Sequence, residues 1–259
     1  MEQTERDGIR IGFSQDRKIR VVTLARAEKR NAITPAMFDE LIEEFRREPS
    51  ATEHATLIRA EGSVFSSGVD LSERLANGWP EESPLVTLCN AITDYPLPVV
   101  AAVQGHAIAG GAMVALHCDL VVAQEGAQLS VPLVKLGLAV PGILCARLLG
   151  RLGPALARDI LLLGHSVSAE TLAADHAINE IAGRAEFEAT VANVLQELAE
   201  GAPLALRAHK RALSIFAGQS AEIDMSAADD LVRLALSSTD AKEGMQAKLE
   251  RRPAVFVGA

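Results

Sequence analysis

The segment Gln104-Gly105-His106-Ala107-Ile108-Ala109-Gly110-Gly111-Ala112-Met113 follows an apolar, strand-like run at Pro98–Val103 and opens a helical pattern. Paired glycines at a strand-to-helix turn leave backbone N–H groups bare at a helix N-terminus. Such a turn suits a carbonyl oxygen that becomes negative during reaction, because fixed donors stabilise the developing charge. A dinucleotide-binding fingerprint is a competing reading, since Glu125 stands near the distance of a ribose-binding acid. That pattern needs glycine two positions after Gly105, where the chain carries Ala107. The GxSxG and GxxxxGK[ST] patterns are absent as well. Taken alone, the glycine pair fits close helix–strand packing equally well.

A second turn of the same kind lies at Phe65-Ser66-Ser67-Gly68-Val69-Asp70-Leu71, with small residues, a glycine and a carboxylate placed to cap a helix. The elements that must hold these turns read as mixed strands and helices. Ile9–Phe13 and Ile19–Leu24 flank a polar turn and predict a hairpin. Thr34-Pro35 gives an N-cap and a first-turn proline, followed by Met37, Leu41, Ile42 and Phe45 at helical spacing. Thr56–Ile58 and Leu120–Ala123 read as short strands, Gly62–Gly68 as a loop, and Leu85–Ile92 as a helix. After about residue 145 the pattern becomes helical, with stretches at 154–163, from 168 onward, and at 187–198, 203–215 and 221–236.

At 259 residues with 49% hydrophobic content, the chain is long enough for one large α/β core with a helical extension. A net charge of −9 and a pI near 5.2 argue against a nucleic-acid or anionic-membrane footprint. Cys89, Cys118 and Cys145 are odd in number and widely spaced, which predicts reduced thiols rather than disulfides or a zinc site. His117-Cys118-Asp119 places three metal-capable side chains on adjacent residues, which point in different directions, so no metal site is expected. The charged N-terminus has no apolar leader and no apolar run is long enough to span a bilayer, so the expectation is a soluble, cytoplasmic protein.

The two turns, together with Arg30-Asn31-Ala32-Ile33, Cys118-Asp119-Leu120, Ser130-Val131-Pro132-Leu133-Val134-Lys135-Leu136-Gly137, Gly164–Ala169 and Pro203-Leu204-Ala205, carry a resemblance to the enoyl-CoA hydratase/isomerase (crotonase) superfamily. It runs through nearly the whole chain in the same order. The resemblance implies an α/β fold, a crotonase-like spiral of ββα turns with a C-terminal α-helical oligomerisation region. Residues 1–195 would form the spiral core, and 196–259 a helical region packed on that core or on a neighbouring subunit. It further implies a homotrimer or dimer of trimers, and an acyl-CoA thioester ligand with no cofactor beyond the coenzyme A of the substrate.

Carried onto this chain, the resemblance makes the backbone N–H groups of Val69 and Gly110 the oxyanion-hole donors. It places Ser67, Gly68, Asp70, Leu71 and Gly111 around the substrate. Arg26, Lys29 and Arg30 fall on the adenine side, and Lys248, Arg251, Arg252 and Phe256 where the nucleotide pocket is completed. Ser72 occupies a position where some relatives carry a phosphate-contacting lysine.

The departures bear on mechanism. The family's two catalytic glutamates fall on Met113 and Leu133, neither of which transfers a proton. Some relatives place an aspartate slightly later, but Gly137–Gly142 contains no acid. Methionine and leucine instead suit an apolar acyl tunnel. Among nearby substitutes, Glu73 reads as a first-turn helix carboxylate, Asp94 as a surface residue, Cys145 as core filler and His106 as a buried, hydrogen-bonded ring. The expected function is therefore acyl-CoA binding of the enoyl-CoA hydratase/isomerase type, with an oxyanion hole but without the usual acids. The alternative is a non-catalytic fatty acyl-CoA binding protein or a partner in a lipid-metabolism complex.

Overall fold

The computed structural model describes residues 4–257 apart from 79, 81 and 219–225. Strands β1 (Thr4–Arg6), β2 (Ile9–Phe13) and β3 (Ile19–Leu24) form an antiparallel meander, which contains the expected hairpin. Helix α1 (Pro35–Arg46) starts where Thr34 accepts a hydrogen bond from the Met37 N–H, and it buries Met37, Phe38, Leu41 and Phe45. One face at a 3.6-residue period is thereby removed from water.

Three similar units follow. In each, a first strand joins one sheet and a second, shorter strand joins another. The first strands are β4 (Ala55–Ala60), β6 (Val99–Val103) and β8 (Leu120–Gln124), and the second are β5 (Val64–Ser66), β7 (His106–Ile108) and β9 (Gln128–Ser130). β3, β4, β6 and β8 are parallel neighbours in a seven-stranded sheet, and β5, β7 and β9 are parallel neighbours in a four-stranded sheet. β10 (Ser166–Ser168) closes the small sheet and β11 (Glu180–Ala182) the large one. This is the spiral of strand–strand–helix turns. Val99–Val103 is buried at every position, as expected of a parallel strand covered on both faces.

The helices between them are α2 (Leu71–Asn77), α3 (Pro84–Asp94), α4 (Gly110–His117) and α5 (Gly142–Leu162). All eight residues of α4 are buried, so the glycine-opened helix runs through the middle of the core. α6 (Ala169–Ala174), α7 (Phe187–Glu200), α8 (Pro203–Gly218), α9 (Ser226–Ser237) and α10 (Thr239–Glu250) complete the chain. α7 covers the large sheet through Phe187 and Val191, and residue 195 lies within it. α10 packs against α2 and against the 3-10 turn Pro132–Leu136, so the end of the chain folds back over its own core.

Several sequence expectations need correction. The loop at 62–68 contains β5, and the region beyond 145 contains β10 and β11. These strands have three residues each, too few for alternation to show against noise. The helix expected at 154–163 is the second half of α5, which breaks at Gly153 (φ 70°). The expected helix start at Ala221 lies outside the described residues, as do Met1–Gln3. His106 is exposed on β7 rather than a buried ring. No helix among the described residues is long and apolar enough to cross a membrane.

Candidate functional site

Because β5, β7 and β9 are parallel neighbours, the turns that follow them emerge side by side at one edge of the small sheet. Ligand crevices in parallel sheets form at such carboxyl ends. These three turns carry Val69, Gly110 and Leu133. Two hydrogen bonds bind the first turn to the 30–33 segment, from Ile33 N–H to Gly68 O (2.8 Å) and from Asp70 N–H to Ile33 O (3.0 Å). In this short parallel bridge the Val69 N–H, lying between them, is left with no acceptor among the described residues.

The second turn passes through Ala109, whose φ of 50° and ψ of −116° are unusual for a residue with a side chain. Such a conformation costs on the order of 1–3 kcal/mol and persists only where its surroundings enforce it. Here the Ala109 N–H donates to Ser130 O (2.7 Å), and its carbonyl accepts from the Met113 N–H (3.0 Å). The Gly110 N–H, first in α4, has no acceptor among the described residues.

The two free donors are adjacent. A Cβ built on Gly110 falls 3.4 Å from Val69 N, and one built on Gly68, whose φ is +87°, falls 2.8 Å from Gly110 N. Gly111 allows the approach: a Cβ there meets Ser66 O at 2.5 Å. Two N–H groups side by side at the start of α4, with its helix dipole behind them, form an anion- or carbonyl-oxygen site.

Residue Asn31, fully buried, supports this edge. Its Oδ1 accepts from the Arg26 N–H (2.9 Å), and its Nδ2 donates to Glu61 O (2.9 Å) and Val64 O (2.8 Å). Asn31 O accepts from Ser66 Oγ (2.8 Å), which in turn accepts from the Gly68 N–H (3.1 Å). Ser67 donates its N–H to Arg30 O (2.9 Å). Asp70 caps α2 by accepting from the Ser72 N–H (3.2 Å), and lies 3.6 Å from Arg26 Nη1. Arg26 also donates to Ala32 O (2.7 Å), so its guanidinium braces the turn.

Met113 is 1% exposed and belongs to the main core, against which Val69 and Leu133 also pack. Leu71, Leu75, Leu133, Leu136 and Leu236 surround a second cluster of Leu138, Ala241 and Met245. The surroundings of Met113 and Leu133 are thus apolar. Glu73 lies in the first turn of α2, and Asp94 is exposed at the last position of α3. Burial, reinforced by nearby Asp229, pushes the Cys145 thiol up, which disfavours a thiolate. His117, Cys118 and Asp119 go to separate partners: Met113 O, Val114 O, and the Val99 N–H with Lys210 Nζ.

Not every expected contact is drawn together. Lys29 is exposed at the end of a 3-10 turn at Ala27–Lys29. Phe256 is 43% exposed on the segment after α10. Neither forms a hydrogen bond or ion pair with the Val69 and Gly110 turns. Arg252 pairs with Glu243 (2.6 Å) and Glu250 (2.6 Å). Sequence reasoning missed Asp229 of α9, whose Oδ1 accepts from the Gly142 N–H (2.9 Å) at the start of α5. Nothing local signalled this, since the two residues are far apart in the chain and meet only in the fold.

The chain matches the family model described as enoyl-CoA hydratase/isomerase over residues 14–259. It is 32% identical to a probable enoyl-CoA hydratase, echA6, of Mycobacterium tuberculosis, covering 96% of this chain and 100% of that one. It is 35% identical to a putative enoyl-CoA hydratase of Thermus thermophilus, covering 92% and 97%. Among solved structures, an enoyl-CoA hydratase from Mycobacterium avium subsp. paratuberculosis superposes with a TM-score of 0.85 at 27% identity, covering 96% and 98%. A methylmalonyl-CoA decarboxylase complexed with 2S-carboxypropyl-CoA shares the fold, with a TM-score of 0.89 at 23% identity, covering 99% and 100%. Ordered turns, strand topology and these similarities agree: the chain belongs to the enoyl-CoA hydratase/isomerase family.

Proposed function

We propose that this protein binds acyl-CoA thioesters, with the thioester oxygen between the Val69 and Gly110 N–H groups and the acyl chain beside Met113 and Leu133. The observation that carries the reading is the adjacent pair of unpartnered donors at the start of a wholly buried helix. A donor of this kind contributes about 3 kcal/mol when negative charge develops on the oxygen. The apolar surroundings strengthen that interaction by excluding water. With Met113 and Leu133 in place of acids, polarisation of the carbonyl is retained while hydration of an enoyl group lacks its usual proton carriers.

Isothermal titration calorimetry tests the binding, and loss of crotonyl-CoA enoyl absorbance tests hydration. The expected result is binding without rapid hydration. Fast hydration overturns the reading of Met113 and Leu133, and absence of acyl-CoA binding overturns the whole assignment. One observation favours a second reading, an active hydratase or isomerase. The Asp229 carboxylate reaches Gly142, within the stretch where the family resemblance places an aspartate in some relatives. If Asp229 moves the proton, any measured turnover is lost in Asp229→Asn while binding persists.

The assembly we propose is a homotrimer, alone or paired. Leu204 and Leu213 of α8 and Leu231 and Leu234 of α9 are exposed apolar side chains that a neighbouring subunit would cover. Sedimentation of the full chain distinguishes monomer, trimer and hexamer.

A further inference from the structure

Thr87, Asn90, Ala91 and Asp94 recur along α3 at the spacing that places them on one face of the helix. The apolar residues that α3 buries, such as Leu85, Leu88 and Ile92, belong to the core instead. With Phe45 and Arg46 at the end of α1, the face of Asn90 and Asp94 borders a groove of about 450 Å³. The groove shares no residue with the Val69, Gly110 and Leu133 turns, so it stands apart from the acyl-CoA site proposed above.

The charged groups along it divide into engaged and open ones. Arg47 pairs with Glu44 (2.8 Å) and Glu53 (2.6 Å), and Glu48 pairs with Arg207 (3.0 Å). Arg46 and Asp94 border the same groove with opposite charges, yet no ion pair joins them. Both are exposed, and neither forms a hydrogen bond or ion pair with any other described residue. Asn90 Oδ1, one turn before Asp94, is buried with no partner. Buried polar atoms are nearly always satisfied, so this acceptor calls for a donor. The C-terminal end of a helix also favours positive charge, and the last turn of α3 holds no basic residue of its own. Lys210 reaches Ile92 O there (3.0 Å) but does not line the groove.

We propose that this groove binds a small zwitterion, a molecule carrying one primary ammonium and one carboxylate. An ammonium has three donors and serves Asn90 Oδ1 and the Asp94 carboxylate together. A carboxylate matches the fork of the Arg46 guanidinium. A lone anion leaves Asp94 and Asn90 unserved, and a lone cation leaves Arg46 unserved. Free amino acids are the simplest molecules that meet both demands.

The test is ligand-observed saturation-transfer NMR of the full-length protein with glycine, β-alanine and γ-aminobutyrate, which space the two charges progressively. Acetate and methylamine are the single-charge controls. One zwitterion of the series is expected to bind at least fivefold more tightly than either control. Arg46→Gln and Asp94→Asn, both exposed and free of partners, should each weaken it about fivefold. Asn90→Leu removes an acceptor that has no partner in the free protein, so it should melt like the wild type and lose about tenfold in affinity. The proposal is overturned if no zwitterion outbinds acetate and methylamine, or if Arg46→Gln and Asp94→Asn both bind like the wild type. It is also overturned if a folded Asn90→Leu keeps full affinity. Acyl-CoA binding that persists without zwitterion binding refutes this site alone.

Discussion

Asn31 is the residue whose removal most directly tests how the site is held. Replacing it with alanine deletes three hydrogen bonds at a position with no solvent exposure. Val64 O retains a second, longer donor in Gln104 Nε2 (3.4 Å), so two groups lose their partner, the Arg26 N–H and Glu61 O. At roughly 1–3 kcal/mol for each orphaned buried group, the loss is about 4 kcal/mol. Asn31 also has φ 51°, a conformation asparagine tolerates better than alanine, which adds about 1 kcal/mol. For a chain of this size each kcal/mol moves Tm by about 2–4 °C, so calorimetry should show a fall of more than 10 °C. Asn31→Gly relieves the φ strain and isolates the hydrogen-bond loss. Asn31→Asp keeps the acceptor for Arg26 but turns a carboxylate oxygen toward Glu61 O and Val64 O. Its carboxyl pKa would be raised, so that variant should be less stable than Asn31→Ala at pH 7 and regain stability as the pH falls. Acyl-CoA affinity should drop in all three, because Ser66 and the Val69 turn lose their support. If Asn31→Asp melts like the wild type at pH 7, the hydrogen-bond argument is refuted.

Gly111→Ala places a methyl group 2.5 Å from Ser66 O, so β5 and α4 must part; the expected outcome is a loss of about 2 kcal/mol of stability and loss of acyl-CoA binding by calorimetry. Met113→Glu combined with Leu133→Glu should create measurable crotonyl-CoA hydration if the carbonyl geometry is intact, and a folded, ligand-binding double variant with no activity would disprove that. His117 has a folded pKa of about 4 against 6.5 unfolded, so the unfolded chain binds the extra proton first on acidification. Urea denaturation should therefore show stability contributed by this residue intact above pH 6.5 and reduced by about 3 kcal/mol by pH 4, a loss absent from His117→Leu.

Much of the site was legible along the chain because its parts are local. A glycine pair before a helical pattern, a Gly68-Val69-Asp70 turn with its own N-cap, and apolar residues at 113 and 133 are each contained within a few residues. The meander, α1 and the central parallel strands were readable too, since burial on one or both faces imposes a period on the side chains. The family resemblance added order to these pieces, and the match over residues 14–259 agrees with it.

What the tertiary structure alone decided is adjacency. The Val69 and Gly110 N–H groups become a pair only because β5 and β7 are parallel neighbours, and strands of three residues leave no periodic signal. The positive φ of Ala109 is enforced from outside by Ser130 and by the start of α4, so alanine's own preference argues against it. The approach of Asp229 to Gly142 joins residues on different helices. Sequence determines which faces are apolar and which turns expose their amides. Long-range packing determines which of those amides, carboxylates and rings share a space, because that depends on strand order and helix crossing rather than on any local pattern.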